Sequence, residues 1–90
     1  MSEISRQVLI SNKRGLHARA SAKFVTLASG LPAQITVRKD GSEVTGTSIM
    51  GLMMLGAAMG DSITICAEGD GAEDAVQALA ELVEARFGED

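Results

Sequence analysis

The sequence predicts an α+β domain: a four-stranded, mostly antiparallel sheet with helices covering one face, in the order β-α-β-β-α-β-α. Three observations lead there. Short runs alternate polar and apolar residues between turn-forming clusters, the pattern of strands with one wet face. Two longer segments instead repeat their apolar residues at helical spacing. The third observation is composition: with two phenylalanines and no tryptophan or tyrosine, the core has to be built from Ile, Val, Leu, Met and Ala. Amphipathic strands under two longer helices make a two-layer sandwich. The 90 residues fill a single domain, 1–90, with no internal repeat or linker.

Gln7-Val8-Leu9-Ile10-Ser11 is a β-favouring run closed by the turn signal Ser11-Asn12. Residues Ala18 to Ala28 read as the first helix, with Ala20, Phe24, Leu27 and Ala28 on its buried face. Gly30 suits its C-cap, and Pro32 prevents continuation. Gln34-Ile35-Thr36-Val37-Arg38 alternates as a strand, and the Asp40-Gly41 turn brings the chain back as Glu43-Val44-Thr45. Residues Asp61 to Ala67 alternate again and give the fourth strand. Ala72 to Phe87 is the clearest helix, with Val76, Leu79, Val83 and Phe87 along one side. Glu73 and Asp74 in its first turn and Arg86 in its last complement the helix macrodipole.

Composition excludes several classes of function. The lone Cys66 cannot form a disulfide within the chain, fits a reducing compartment, and reads as a small packing residue. No apolar run approaches the ~20 residues that span a bilayer. Met1 to Gln7 lack the basic start and apolar stretch of a signal peptide, so a cytoplasmic location without membrane association is expected. A net charge of −4, with no basic stripe and almost no aromatics, argues against nucleic-acid binding. One histidine and one cysteine cannot assemble a zinc-type site, and no glycine-rich nucleotide motif is present, so no metal and no cofactor are expected. Gly88-Glu89-Asp90 and Glu68-Gly69-Asp70-Gly71 read as solvated ends and loops.

Two stretches do not fit a plain core. The first is Asn12-Lys13-Arg14-Gly15-Leu16-His17-Ala18-Arg19-Ala20, which places the only histidine where a strand ends and a helix begins. Imidazole is a good nucleophile, and a helix start presents unpaired N–H groups that hold anions. Gly15 allows close backbone approach, Ala18 leaves room, and Arg19 offers a donor fork suited to phosphate. The second is Thr47 to Gly60, apolar nearly all round and holding four of the five methionines. A short helix there plugs one end of the sheet while Met50 and Met53 on its outer side can serve as an adaptable docking patch. Ser48 at its start is a natural N-cap, and a phosphate on it would set negative charge beside that patch.

Both stretches match one family. Asn12, Gly15-Leu16-His17-Ala18-Arg19 resembles the phosphorylation motif of HPr, the histidine-containing phosphocarrier of the bacterial phosphotransferase system, and Ser48-Ile49-Met50-Gly51-Leu52-Met53 resembles its regulatory serine segment. The resemblance covers nearly the whole chain and implies the open-faced β-sandwich of HPr. It implies that His17 accepts a phosphoryl group on Nδ1 from phosphoenolpyruvate-charged enzyme I, with Arg19 as the phosphate-side cation, and donates it to IIA-type domains. It also implies regulation at Ser48 by HPr kinase/phosphorylase, and partner docking at Ile49, Met50 and Met53, with Ala20 beside the active motif. The sequence departs from the family pattern at Ala20, where proline is common, and at Thr26 and Ser29, where some members carry lysine.

The resemblance makes the chain a substrate of enzyme I and a carrier, not a free-standing enzyme, and this mode of action favours a monomer. The alternative is a regulatory binding module of a nitrogen-type phosphotransferase branch, which controls kinases or transcription factors through the Met50/Met53 patch without sugar transport.

Overall fold

The computed structural model describes residues 3–89. Strand β1 (Ile4–Leu9), helix α1 (Ala18–Ser29), strands β2 (Gln34–Lys39) and β3 (Ser42–Thr45), helix α2 (Ile49–Met54), strand β4 (Ser62–Glu68) and helix α3 (Ala72–Glu84) follow in that order, and a 3-10 turn at Arg86–Gly88 closes the chain. The sheet order is β1-β4-β2-β3, with every neighbouring pair antiparallel. The element order and the α+β sandwich are those the alternation and helical periodicity predict.

β4 lies between β1 and β2, so Ile63, Ile65 and Ala67 point into the middle of the core. Val8, Ile35 and Val37 flank them from the neighbouring strands. Helix α1 covers them with Ala20, Phe24 and Ala28, and α3 with Val76, Leu79 and Val83. Leu27, expected on the buried face of α1, is only half-buried; the buried polar position is Ser21, whose hydroxyl donates to the Leu16 carbonyl at 3.1 Å. The β2–β3 hairpin turns on Asp40 (φ 51°) and Gly41 (φ 85°), two left-handed residues of the kind a two-residue hairpin loop requires. On the other face of the sheet Arg38 spans Glu43 at 2.8 Å and Glu3 at 3.0 Å. Cys66 is buried there, and burial pushes its thiol pKa up.

Three boundaries differ from the sequence expectation by more than one residue. β1 begins at Ile4 because Ile4 and Ser5 pair with Ala67 and Cys66, a long-range partner that supplies what their weak local pattern lacks. The strand ends at Leu9, although Ile10 still exchanges hydrogen bonds with Gly60 and Asp61, both at 2.8 Å. At the far end α3 stops at Glu84 rather than running to Phe87. Arg86 (φ 58°), Phe87 (φ 56°) and Gly88 (φ 74°) reverse the chain in left-handed conformation, so Arg86 does not sit in the last turn of the helix. Left-handed backbone costs roughly 1–2 kcal/mol for each residue bearing a Cβ. Complete burial of the Phe87 ring returns about 1.5–3 kcal/mol, which offsets much of that strain.

No helix among the described residues is long and apolar enough to cross a membrane. The Phe87 anchor gives a direct test of the packing. Phe87→Ala should lower the unfolding free energy by about 3–5 kcal/mol, read as a fall in the urea midpoint with little change in slope. A loss well under ~1 kcal/mol would show that the reversed tail is not part of the core.

Candidate functional site

The loop from Asn12 to Leu16 is closed on itself before it presents any functional group. Asn12 is fully buried; its carbonyl accepts from the Gly15 N–H at 3.2 Å, and its side-chain Nδ2 donates to the Gly15 carbonyl at 2.9 Å. Gly15 has φ 63°, and a Cβ on it would lie 2.3 Å from the Ala57 carbonyl oxygen. No residue with a side chain fits there without moving backbone. The Leu16 N–H donates to that same Ala57 carbonyl at 3.0 Å, which seats the loop on the connection between α2 and β4. Gly15 thus works as expected, by permitting close approach, and the partner it approaches is Ala57–Ala58.

From this fixed loop the chain enters α1 with His17 as N-cap, in extended conformation (φ −74°, ψ −180°). Its carbonyl accepts the first intrahelical bond from the Ser21 N–H at 2.9 Å. The imidazole makes two contacts. Nδ1 accepts from the Arg19 backbone N–H at 3.3 Å, and Nε2 lies 2.7 Å from Glu89 Oε2. A carboxylate can only accept, so this network assigns the proton to Nε2 and leaves the lone pair on Nδ1, facing the first turn of α1. The His17 and Glu89 side chains are only 15% and 19% exposed. Arg19 is exposed beside them, as expected for a residue able to reach an anion.

Glu89 is the residue at the site that the sequence did not point to. It reads as part of a solvated acidic tail; Asp90, read with it, lies outside the described residues. The structure instead folds Glu89 back onto the loop: Oε1 accepts from Asn12 Nδ2 at 3.2 Å while Oε2 faces His17. Burial is the largest single influence on its carboxyl and opposes ionisation. The hydrogen bonds that His17 and Asn12 donate, helped by the nearby positive charge of Lys23, outweigh it and hold the group below the ordinary carboxylate value. The reversal at Arg86–Gly88 delivers this residue, and Lys23 Nζ secures it by donating to the Phe87 carbonyl at 2.6 Å. The only local signal was Gly88, a residue suited to reversing a chain.

The second motif lies at the start of α2, which packs against α1. Ser48 is its N-cap, with Oγ accepting from the Gly51 N–H at 2.9 Å. Leu52 points inward and is fully buried, while Ile49 (40%), Met50 (70%) and Met53 (41%) are exposed. Ala20 is different. It is fully buried under α1 against the core, so it offers no surface for docking, and its place in the active motif is one of packing. Among the described residues no group of three His, Cys, Asp or Glu side chains is arranged to hold a metal ion.

Comparison with known proteins gives the family. Residues 4–85 match the family model described as PTS HPr component phosphorylation site. The phosphocarrier protein NPr of Shewanella violacea is 43% identical over 89 residues, covering 99% of this chain and 98% of its own length. The phosphocarrier protein HPr of Cupriavidus necator is 43% identical over 86 residues, covering 96% and 97%. The crystal structure of HPr-C-His from Thermoanaerobacter tengcongensis superposes with a TM-score of 0.89 at 47% identity, covering 100% of this chain and 99% of that one.

The depressed Glu89 titration sets a pH dependence. Its stabilising contribution is complete above the ordinary value of 4.5 and is lost as pH falls through the lower folded value. Wild type should therefore exceed Glu89→Gln in thermal midpoint near neutral pH, and the gap should close as pH falls below 4.5 and through the lower folded value. A gap that is constant or widens on acidification would show that the carboxylate is not held by these partners.

Proposed function

The chain belongs to the HPr family of phosphotransferase-system phosphocarriers, and on that premise we propose that His17 carries the phosphoryl group, taken from phosphoenolpyruvate-charged enzyme I and passed to IIA-type domains. A member of this family is a carrier, not a catalyst in the usual sense. One observation carries the assignment to His17: its Nδ1 lone pair faces the N-terminus of α1 while Nε2 is engaged by Glu89.

The chemistry follows from that arrangement. The Nδ1 lone pair forms the new P–N bond as the donor's bond to phosphorus breaks, and Nε2 keeps its proton throughout. As Nδ1 attacks phosphorus it gives up the Arg19 N–H it accepts, and the incoming oxygens bring negative charge to that donor at the first helical turn, where the helix dipole favours it. Arg19 supplies a mobile positive charge to the same oxygens. Phosphoryl transfer requires mainly positioning and charge stabilisation, so a shallow site completed by each partner in turn is sufficient. This mode of exchange suits a cytoplasmic monomer.

Docking then falls to the surface around the site. Ile49, Met50 and Met53 give an adaptable apolar patch. A groove of about 640 Å³ runs along α1 from Arg19, lined by Ala22, Leu27, Leu31 and Leu82. With Thr26 and Ser29 in place of charged residues on α1, these contacts are mainly apolar. Ser48 is the regulatory position in this reading, modified by an HPr kinase/phosphorylase. A phosphate there adds about −1.5 to −2 charges at the edge of the patch, repelling acidic partners. The exposure of that patch also favours a second reading, a docking module of a nitrogen-type branch that controls kinases or transcription factors.

Incubated with enzyme I and phosphoenolpyruvate, the wild-type chain should gain the mass of one acid-labile phosphate, and His17→Ala should gain none. A phosphorylated His17→Ala chain would contradict the assignment. Ser48→Asp should weaken phosphoryl exchange, by about tenfold if the added charge costs near 1.4 kcal/mol at the interface. If Ser48→Asp instead changes the affinity of a regulatory partner in a His17→Ala background, the docking-module reading gains over pure transport.

A further inference from the structure

A nucleophilic histidine at a helix start does not by itself call for the residues after α3 to fold back over it. Here they do, through a built arrangement. Two residues with side chains, Arg86 and Phe87, and then Gly88 adopt left-handed backbone in succession. The Phe87 ring is sunk in the core and its carbonyl is gripped by Lys23 at 2.6 Å. The next residue, Glu89, spends both carboxylate oxygens on the active loop, one on His17 Nε2 and one on Asn12 Nδ2. Strained backbone persists only where its surroundings hold it, and it collects where function needs a fixed geometry.

Asn12 makes the arrangement directional. Its amide is buried, with Nδ2 donating to both the Gly15 carbonyl and Glu89, and Oδ1 has no partner among the described residues. Turning the amide over would aim Oδ1 at two acceptors, so the orientation is determined despite the unsatisfied oxygen. The Glu89 carboxylate is therefore fixed as an acceptor from two sides, from Asn12 Nδ2 on one oxygen and from His17 Nε2–H on the other.

We propose that Glu89, backed by Asn12, is a positioning residue for phosphoryl transfer: it fixes the Nε2–H tautomer of His17 and holds the positive charge that appears on the ring when Nδ1 is phosphorylated. This rests on the reading of His17 as the phosphoryl acceptor. Forming the P–Nδ1 bond uses the lone pair that the tautomer leaves free. Because Nε2 retains its proton, the phosphorylated ring is cationic, and it lies against an ionised carboxylate in a half-buried site where opposite charges attract more than in open water. When the P–N bond breaks, the electron pair returns to Nδ1 and no proton has to move. Glu89 thus selects the nitrogen that reacts and shifts the balance toward the loaded carrier.

The test compares wild type, Glu89→Ala and Glu89→Gln, with phosphoramidate as the phosphoryl donor so that no partner protein is involved. In this loading the donor's P–N bond breaks as ammonia leaves. Nitrogen-15 NMR of the ring reads the tautomer, and phosphorus-31 NMR reads loading. Wild type should show the Nε2–H form; Glu89→Ala should show a mixture and load roughly tenfold more slowly, the size expected for loss of a hydrogen bond to a charged group. Glu89→Gln, which keeps an acceptor but no charge, should retain the tautomer and load at an intermediate rate. An unchanged tautomer and unchanged loading in Glu89→Ala would overturn the role of Glu89 alone. A wild-type chain that takes no phosphoryl group on His17 would instead overturn the acceptor reading on which this one rests.

Discussion

The contact between His17 Nε2 and the Glu89 carboxylate, at 2.7 Å, joins the first loop of the chain to its last turn, and the rest of the architecture serves to make it possible. His17 can stand where it does only because Gly15, in left-handed conformation, lets the loop press against the Ala57 carbonyl. Glu89 can reach it only because Phe87 is anchored beneath α1 and α3. Both supports depend on the central position of β4, whose Ile63 and Ile65 form the floor on which the two helices lie. The site is therefore held at the surface by the core as a whole.

A small carrier has particular reason to be built this way. In the proposed reading it presents the same nitrogen to a donor and to an acceptor. What it can supply is a fixed ring, a known protonation pattern and a helix terminus that tolerates negative charge. In the proposed reading the remainder of each transition state comes from the partner. The apolar surface nearby, Met50 and Met53 above all, fits a protein that docks more than once, because flexible thioether side chains repack against different faces.

Features governed by neighbouring residues were legible in the sequence. Asp40-Gly41 specified the hairpin because two left-handed positions demand such residues. His17 and Ser48 were both placed at helix starts, and both are N-caps. The misplaced features depend on long-range partners. Ile4 and Ser5 are strand because β4 pairs with them. Phe87 fits the helical period, yet it leaves the helix because its ring finds a better position after a reversal. Ala20 follows two exposed residues, Ala18 and Arg19, but faces inward, a matter of which side of α1 meets the sheet. Glu89 was the costliest omission, since 72 residues separate it from His17 and acidic chain ends are ordinarily solvated.

The account's central claim is that His17 offers Nδ1, and not Nε2, as the reacting nitrogen. The most direct measurement is nitrogen-15 and phosphorus-31 NMR of the chain after loading by enzyme I and phosphoenolpyruvate, with the ring nitrogens labelled. The account predicts one-bond coupling between phosphorus and Nδ1 of His17, with Nε2 still protonated. Coupling to Nε2, or phosphate on any other residue, would contradict it.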